Sequence, residues 1–217
     1  MSAADARRNM IDRQLRDNQV DDERLLAAMA LIPRERFVAD SALAVAYADS
    51  NAEQGEGRFL MAPLCFARLV QEAHVGAGDM VLDVGCGAGY SSAVLSHLAG
   101  TVVAVEENGV LRTRAAHLFE ELGIDNVVLT GGFYAQGDVA HAPYDVILIE
   151  GSVPSVPDGL CDQLAEGGRL LAVTGAPGSC GRGLVLYRRD GSFVSRSLFD
   201  AVIPSLPRTP SGRTFVF

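Results

Sequence analysis

Five short apolar runs, separated by segments with helical periodicity, dominate the middle of the chain. Continuous apolar character, rather than strict alternation with polar residues, predicts strands buried on both faces, as in a parallel sheet covered by helices. The five runs are residues 80–84, 102–105, 127–129, 146–149 and 170–173. Two later runs, 184–187 and 193–197, bring the predicted sheet to about seven strands.

Helical segments lie between these runs. The clearest extends over residues 108–122, where apolar residues recur on one face, and Gly123 marks its end. Another, residues 91–98, follows the first strand of the sheet. Alternating strands and helices predict right-handed crossovers and therefore a doubly wound α/β sheet.

A helical extension is predicted before the sheet. One polar-faced helix should cover residues 4–17, and a second should run from its cap, Asp22, to the helix-breaking Pro33. Residues 48–58 are polar and contain two glycines, which predicts a loop, and Pro63 then suits the first turn of another helix.

These patterns predict one domain, residues 1–217, in three parts. Residues 1–60 form the helical lead-in and the loop, residues 61–182 the α/β core, and residues 183–217 the C-terminal strands and tail. The chain is 48% hydrophobic and 21% charged, which is the composition of an ordinary globular protein.

Composition also excludes several classes of protein. No apolar run approaches the roughly 20 residues that span a bilayer, and the first residues lack the apolar segment of a secretory signal. The net charge of −9 argues against a nucleic-acid-binding surface, because phosphate contacts need clustered Lys and Arg. Scattered cysteines without zinc-ligand spacing predict free thiols in the cytoplasm and no metal site. They are Cys65, Cys86, Cys161 and Cys180.

The most informative stretch is residues 81–90, VLDVGCGAGY, in which three glycines join a predicted strand to a helix. Gly85, Gly87 and Gly89 permit left-handed backbone geometry and let a ligand approach the main chain, while the helix behind them offers free N–H groups. A dinucleotide-binding turn requires G-x-G-x-x-G, but Tyr90 takes the place of the third glycine in that pattern.

Two acidic residues indicate the chemistry of the ligand. Asp83 lies two residues before the first glycine, where its charge would repel a pyrophosphate but attract an ammonium group. Glu106 ends the second strand, about 20 residues further on, and is placed to accept hydrogen bonds from ribose hydroxyls. S-adenosylmethionine carries an ammonium group, a ribose and no phosphate, so this pattern predicts it as the cofactor.

With these residues, the chain resembles the protein-L-isoaspartate O-methyltransferase family from about Met10 to Val173. The resemblance implies S-adenosylmethionine as methyl donor and a carboxylate of damaged proteins or peptides as acceptor. It also places Gly132 and Phe133 beside the adenine. Besides the glycine turn and Glu106, the matching segments are residues 32–38, 46–47 with Asp49, 126–127, 144–147, 163–164 and 167–170.

Three positions depart from the family's pattern. Where the family has a Thr-Ile-Ser segment before a proline, this chain has Phe59, Leu60 and Met61, so the two hydroxyl groups are missing. Phe133 replaces the aspartate that holds the adenine amino group. Glu150 replaces a threonine at the end of the fourth strand.

The side chains at these positions leave alternatives open. Arg58 is a candidate for a bidentate contact with an acceptor carboxylate, or a solvated loop arginine. Phe59 and Met61 are candidates for an apolar lid over the cofactor. Glu150 is a candidate for acceptor binding or a general base, or a charge on the rim of the site. We name no catalytic residue, because a carboxylate acceptor is already anionic and needs alignment rather than deprotonation.

The resemblance therefore predicts a methyltransferase that acts on damaged proteins or peptides. Two alternatives remain: a methyltransferase for a different acceptor, such as a small molecule, and a catalytically weak, methyltransferase-like binding module. The sequence does not predict the oligomeric state.

Overall fold

The N-terminal part of the chain is helical, as predicted, but the first helix changes its pitch part-way. The computed structural model describes residues 2–207. Helix α1 (Ala3–Asn9) continues as a π-helical turn (Met10–Leu15) and a 3-10 turn (Arg16–Asn18). Helix α2 (Glu23–Leu31) begins after Asp22, whose carboxylate accepts hydrogen bonds from the first helical amides. Two more 3-10 turns follow, Arg34–Phe37 and Asp40–Val45.

A β-hairpin replaces the loop that the polarity of residues 48–58 predicted. Its strands are β1 (Ala52–Gly55) and β2 (Arg58–Leu60), paired in antiparallel fashion. The turn residues Glu56 and Gly57 both have left-handed backbone angles, with φ of 55° and 68°. Two such residues give the twist that a two-residue hairpin turn requires. The loop prediction was therefore wrong for this part of the chain.

Among residues 2–207, seven strands form one sheet, and each predicted apolar run lies within one of them. The strands are β3 (Met80–Val84), β4 (Thr101–Val105), β5 (Val127–Thr130), β6 (Tyr144–Val153), β7 (Leu164–Thr174), β8 (Gly181–Arg189) and β9 (Ser192–Ala201). Their order is β5-β4-β3-β6-β7-β8-β9, parallel from β5 to β7 and antiparallel in the last two. The predicted doubly wound, seven-stranded α/β fold is confirmed.

Helices cover the sheet unequally. The remaining helices are α3 (Pro63–Ala73), α4 (Tyr90–Ser96), α5 (Gly109–Glu121) and α6 (Asp158–Cys161). Helices α3, α4 and α5 pack on one face of the sheet together with the N-terminal helices. The short α6 and the side chain of Leu206 pack on the other face. Strands β3 and β4 are buried on both faces, which explains why their apolar residues do not alternate with polar ones.

The carboxyl edge of the sheet contains a point where the chain reverses its direction of winding. β3 and β6 are neighbours in the sheet, but the chain continues from β3 to β4 on one side and from β6 to β7 on the other, which opens a crevice between β3 and β6. The chain returns to this edge after β9. The Ser152 amide donates to the Pro204 carbonyl and the Leu206 amide to the Ser152 carbonyl, both at 3.0 Å. The last part of the predicted tail, residues 208–217, lies outside the described residues.

Within residues 2–207, no helix has the length and apolar character needed to cross a membrane. The same part of the chain contains no group of His, Cys, Asp or Glu side chains arranged to hold a metal ion. The four cysteines are free thiols.

Candidate active site

The turn after β3 has the left-handed geometry for which its glycines were singled out. The φ angles of Gly85, Gly87 and Gly89 are 74°, 59° and 93°. The Gly85 amide donates to the Val105 carbonyl at 2.8 Å, so the turn folds toward the end of β4. A Cβ atom on Gly89 would lie 2.5 Å from Cζ of Phe119, so this glycine is also needed to pack the turn against α5.

Glu106 lies at the carboxyl end of β4 and is completely buried. Its Oε2 accepts a hydrogen bond from the Gly87 amide at 2.7 Å, and its Oε1 accepts one from the Asn108 amide at 2.9 Å. Two main-chain donors therefore fix the carboxylate beside the glycine turn. This is the position in which the sequence predicted an acceptor for ribose hydroxyls.

Arg58 lies inside the crevice and is not the solvated loop arginine that one alternative described. It is only 4% exposed. Its Nη1 donates to both oxygens of Glu106, at 2.9 and 3.0 Å, and its Nη2 donates to the Gly85 carbonyl at 2.6 Å. The inward face of strand β2 carries this side chain together with Leu60. In this conformation the guanidinium pairs with Glu106, and its contact with an acceptor carboxylate stays a prediction.

The sequence did not point to two other residues that line the crevice. Gln54 is buried on the hairpin, and its Oε1 accepts a hydrogen bond from the Ala88 amide at 2.7 Å, directly over Gly87. The side chain of Leu206 lies against Gly85, with Cδ2 2.9 Å from the position that a Cβ atom would take there. The glycine-rich turn after Gln54 could have indicated the hairpin, whereas nothing in the sequence around Leu206 indicates its place.

Asp83 is fully buried on the face of the sheet that α4 covers. Its Oδ2 accepts hydrogen bonds from the hydroxyls of Ser91 and Ser92, at 2.7 and 2.5 Å, whereas its Oδ1 has no hydrogen-bond partner. Burial raises the pKa of Asp83 to about 6, against the effect of the two serine hydroxyls. A buried oxygen without a partner is a place for a further donor, such as an ammonium group.

A second carboxyl group, Glu150, lies on the same face of the sheet. Asp83 pairs with Leu148 of β6, and alternation along that strand returns Glu150 to the Asp83 side. Glu150 is 6% exposed, so it is not a rim charge. Burial, followed by the negative charge of Asp83, raises the pKa of Glu150 well above its ordinary value, against the opposing effect of Arg34 and Arg58. Its Oε1 has no hydrogen-bond partner, and its role toward an acceptor stays a prediction.

Phe59 and Met61 follow Arg58 and take different environments. Met61 is buried, with its Sδ 4.0 Å from Sγ of Cys65, and its carbonyl accepts a hydrogen bond from Arg34. Phe59 is 38% exposed on the outer face of the hairpin. The suggested apolar lid over the cofactor therefore stays a prediction.

Gly132 and Phe133 follow β5 and lie near the end of β4. A Cβ atom on Gly132 would lie 3.4 Å from Cγ1 of Val105, the residue before Glu106. Phe133 is half-buried. This neighbourhood agrees with an adenine site next to a ribose site, although the contact itself stays a prediction.

These residues fit S-adenosylmethionine. The glycines of the turn have no side chains of their own between the main chain and a ligand, Glu106 would provide acceptors for ribose hydroxyls, and the unpartnered Oδ1 of Asp83 would accept from the ammonium group. When bound, the cofactor supplies an electrophilic methyl group on its sulfonium. Arg58 and Leu206, however, project into the same crevice.

Comparison with known proteins identifies the family. The model of the protein-L-isoaspartate(D-aspartate) O-methyltransferase family matches residues 5–201. The chain belongs to this family. A protein-L-isoaspartate O-methyltransferase of Koribacter versatilis is 38% identical over 194 residues, which are 89% of this chain and 86% of the relative. Another, of Methanoculleus marisnigri, is 37% identical over 185 residues, which are 85% of this chain and 84% of the relative.

Solved structures of the family share the fold. One protein-L-isoaspartate O-methyltransferase superposes with a TM-score of 0.81 at 26% identity, covering 93% of this chain and 66% of that chain. A second, from Plasmodium falciparum and determined with S-adenosyl-L-homocysteine, has a TM-score of 0.80 at 19% identity and covers 94% of this chain and 99% of that chain.

Family membership confirms three predictions made from the sequence. The chain is a protein carboxyl methyltransferase, its methyl donor is S-adenosylmethionine, and its substrates are proteins. The alternative functions, a different acceptor or a binding module, are not favoured.

Proposed function

We propose that this chain transfers the methyl group of S-adenosylmethionine to the free carboxylate of an isoaspartyl or D-aspartyl residue in a protein or peptide. The observation that carries the proposal is the pairing of a left-handed glycine turn with the buried carboxylate of Glu106, which accepts the Gly87 amide at 2.7 Å. The match of residues 5–201 to the family model supports the same proposal.

The chemistry requires little from the protein beyond alignment. A carboxylate acceptor is ionised at neutral pH, so no general base has to remove a proton before its oxygen attacks the methyl carbon. The chain's task is to hold donor and acceptor in line. Glu106 would hold the ribose hydroxyls, Oδ1 of Asp83 the ammonium group, and Gly132 with Phe133 would flank the adenine.

A cleft beside the crevice is our candidate for acceptor binding. It has a volume of about 250 Å³ and lies between the start of α3, residues 49–51, and the end of β9 with the two residues that follow it. Arg68 contributes a positive charge to this cleft, and Cys65 lines it next to Met61. Asp49 and Asp200 also line the cleft, so Arg68 is one positive charge beside two negative ones, and it is the side chain there that would pair with an acceptor carboxylate. Arg58 is a second candidate for that carboxylate once its pairing with Glu106 has been given up.

Two further parts of the proposal concern the surroundings of the reaction. We expect a protein or peptide acceptor and no nucleic acid, which the net charge of −9 supports. We expect the reaction to take place in the cytoplasm, a compartment in which the four free thiols would stay reduced.

The test has two steps. Calorimetric titration with S-adenosylmethionine and S-adenosylhomocysteine should show micromolar binding. Transfer of a labelled methyl group should then occur to a peptide with one isoaspartyl residue and not to the same peptide with an ordinary aspartyl residue. Equal labelling of the two peptides would contradict isoaspartyl specificity. No binding up to about a millimolar ligand, which corresponds to at most about 4 kcal/mol of affinity, would contradict the cofactor site itself.

A further inference from the structure

The Arg58 side chain satisfies Glu106 in the way that a ribose would. Nη1 of Arg58 donates to both carboxylate oxygens, at 2.9 and 3.0 Å, whereas the vicinal hydroxyls of a ribose would donate one bond to each oxygen. The other two contacts of this carboxylate are the main-chain amides of Gly87 and Asn108. Arg58 is therefore the only side chain among these partners, and it is the partner that a ligand can replace.

Leu206 fills the neighbouring part of the crevice from the opposite side. Its two Cδ atoms lie 2.9 and 3.1 Å from the position that a Cβ atom would take on Gly85, and its Cγ lies 2.7 Å from the corresponding position on Gly151. Gly85 follows β3 and Gly151 is on β6, so the leucine spans the gap between the two strands that bound the winding reversal. In open α/β sheets this gap is the place where ligands bind.

From these contacts we propose that the cofactor crevice is self-occupied. Arg58 and Leu206 hold it closed in the free protein, and cofactor binding displaces both. The inference rests on the proposed function and adds to it a step in which the protein opens. Cofactor affinity is then set by how readily these two side chains leave, as well as by the contacts that the cofactor makes.

Arg58 and Leu206 lie on segments outside the seven-stranded sheet, so both side chains can move out of the crevice without disturbing the sheet. Arg58 follows directly on the two-residue turn of the hairpin, which contacts the carboxyl edge and adds no strand to the sheet. The segment that carries Leu206 is held to β6 by two main-chain hydrogen bonds through Ser152. That segment also borders the candidate acceptor cleft through Val202 and Ile203. Its displacement would therefore join the cleft to the crevice.

Variants of the two side chains test the inference by binding alone. In Arg58→Gln the glutamine side chain is too short to pair with Glu106. In Leu206→Ala the alanine side chain leaves the space next to Gly85 empty. If the free protein is open in about one molecule in ten, each variant should bind S-adenosylhomocysteine up to about tenfold more tightly in calorimetric titration. Arg16→Gln is the matched control, because Arg16 forms an exposed pair with Glu23 far from the crevice and its loss should leave the dissociation constant unchanged.

Hydrogen exchange gives a readout that does not depend on any variant. Ligand binding usually protects amides, but saturating S-adenosylhomocysteine should here speed the exchange of the Ser152 and Leu206 amides, because both of their hydrogen bonds join β6 to the displaced segment. Adenosine, which has the vicinal hydroxyls, should produce part of this effect, whereas methionine should not release Arg58.

The outcomes separate this inference from the proposed function. If the parent binds the ligand and both variants bind it equally or more weakly, the crevice is not self-occupied, and the proposed function stands. Increased protection of the Ser152 and Leu206 amides would lead to the same conclusion. If neither the parent nor any variant binds up to about millimolar ligand, the cofactor site is wrong and both proposals are overturned. If Arg58→Gln fails to fold, Leu206→Ala and the exchange experiment still show whether the crevice is self-occupied.

Discussion

The carboxylate of Glu106 and the main-chain amide of Gly87 are joined by a hydrogen bond of 2.7 Å that ties the end of β4 to the turn after β3. This bond joins two neighbouring strand ends into the surface that we propose binds the cofactor. A charged acceptor in a completely buried position also needs a counter-charge, and Arg58 supplies it. Under the proposed function, cofactor binding and folding depend on the same carboxylate.

We predict that Glu106→Gln weakens binding of S-adenosylhomocysteine by at least about tenfold, because a neutral amide replaces a charge-assisted acceptor. It should also destabilise the protein by about 3–5 kcal/mol, since the buried Arg58 loses its partner. Calorimetry and thermal unfolding measure the two effects.

The double variant Arg58→Gln with Glu106→Gln separates these effects. Removing both charges should recover much of the lost stability, because no uncompensated charge remains. Affinity for the ligand should stay below that of Arg58→Gln alone. A double variant that binds as tightly as Arg58→Gln would show that Glu106 does not hold the cofactor.

Gly87→Ala tests the glycine turn itself. Gly87 has φ of 59°, and an added Cβ would lie 2.5 Å from Oε1 of Gln54. We expect loss of cofactor binding, because the methyl group both strains the turn and occupies the surface that a ligand approaches. The effect is measured by titration with S-adenosylhomocysteine.

Gly167→Ala is the matched control for that variant. Gly167 also has left-handed geometry, with φ of 78°, but nothing lies within 4 Å of the added Cβ. The residue is near the amino end of β7, at the edge of the sheet opposite the crevice. It should lower stability by about 1 kcal/mol through backbone strain and leave affinity intact. Equal affinity of both variants and the parent would place the cofactor elsewhere.

The centre of the sheet could be predicted from the sequence because its central strands are buried on both faces. Residues 102–105 are apolar throughout and residues 80–84 are apolar except for Asp83, a pattern that indicates a strand covered on both faces. Strands β6 and β7 extend further than predicted, because Tyr144 and Leu164 pair with each other before the apolar runs begin. Strand ends that are formed by main-chain hydrogen bonds alone cannot be predicted from the pattern of hydrophobic residues.

The candidate site was predictable only where local geometry dictates the residue. The glycine turn, Asp83 and Glu106 could be identified, because a left-handed turn needs glycine and ribose hydroxyls need an acceptor. Arg58 and Leu206 meet at Gly85 through contacts between residues far apart in the chain. Such contacts follow from the tertiary fold and have no short-range pattern.

Glu150→Gln should alter the pH dependence of stability. Burial raises the pKa of Glu150 in the folded protein above its value in the unfolded chain. The folded protein therefore keeps a proton that the unfolded chain releases, and stability falls as the pH rises above the unfolded pKa. The glutamine carries no charge and avoids this loss. The variant should therefore be more stable than the parent by a margin that grows as the pH rises above the unfolded pKa, seen as a higher Tm.

The exposed Glu120 gives the control for this measurement. Glu120→Gln should follow the parent's Tm at each pH, because its carboxylate is solvated in both the folded and the unfolded state. A difference between Glu150→Gln and the parent that shrinks as the pH rises would contradict the assignment of Glu150 as a carboxyl group that resists ionisation.

Met61→Ser restores a hydroxyl at a position where the family carries one, and we expect it to raise the rate of isoaspartyl methylation. Met61 is buried beside Cys65, which lines the candidate acceptor cleft, so a hydroxyl there can donate a hydrogen bond to an acceptor carboxylate. The same change removes a buried side chain and should cost about 2–4 kcal/mol of stability. Met61→Ala leaves a similar cavity without a hydroxyl. Comparing kcat/KM of the two variants, at a temperature where both are folded, isolates the contribution of the hydroxyl group. Equal values would mean that the acceptor carboxylate is held elsewhere, with Arg68 and Arg58 as the cationic candidates.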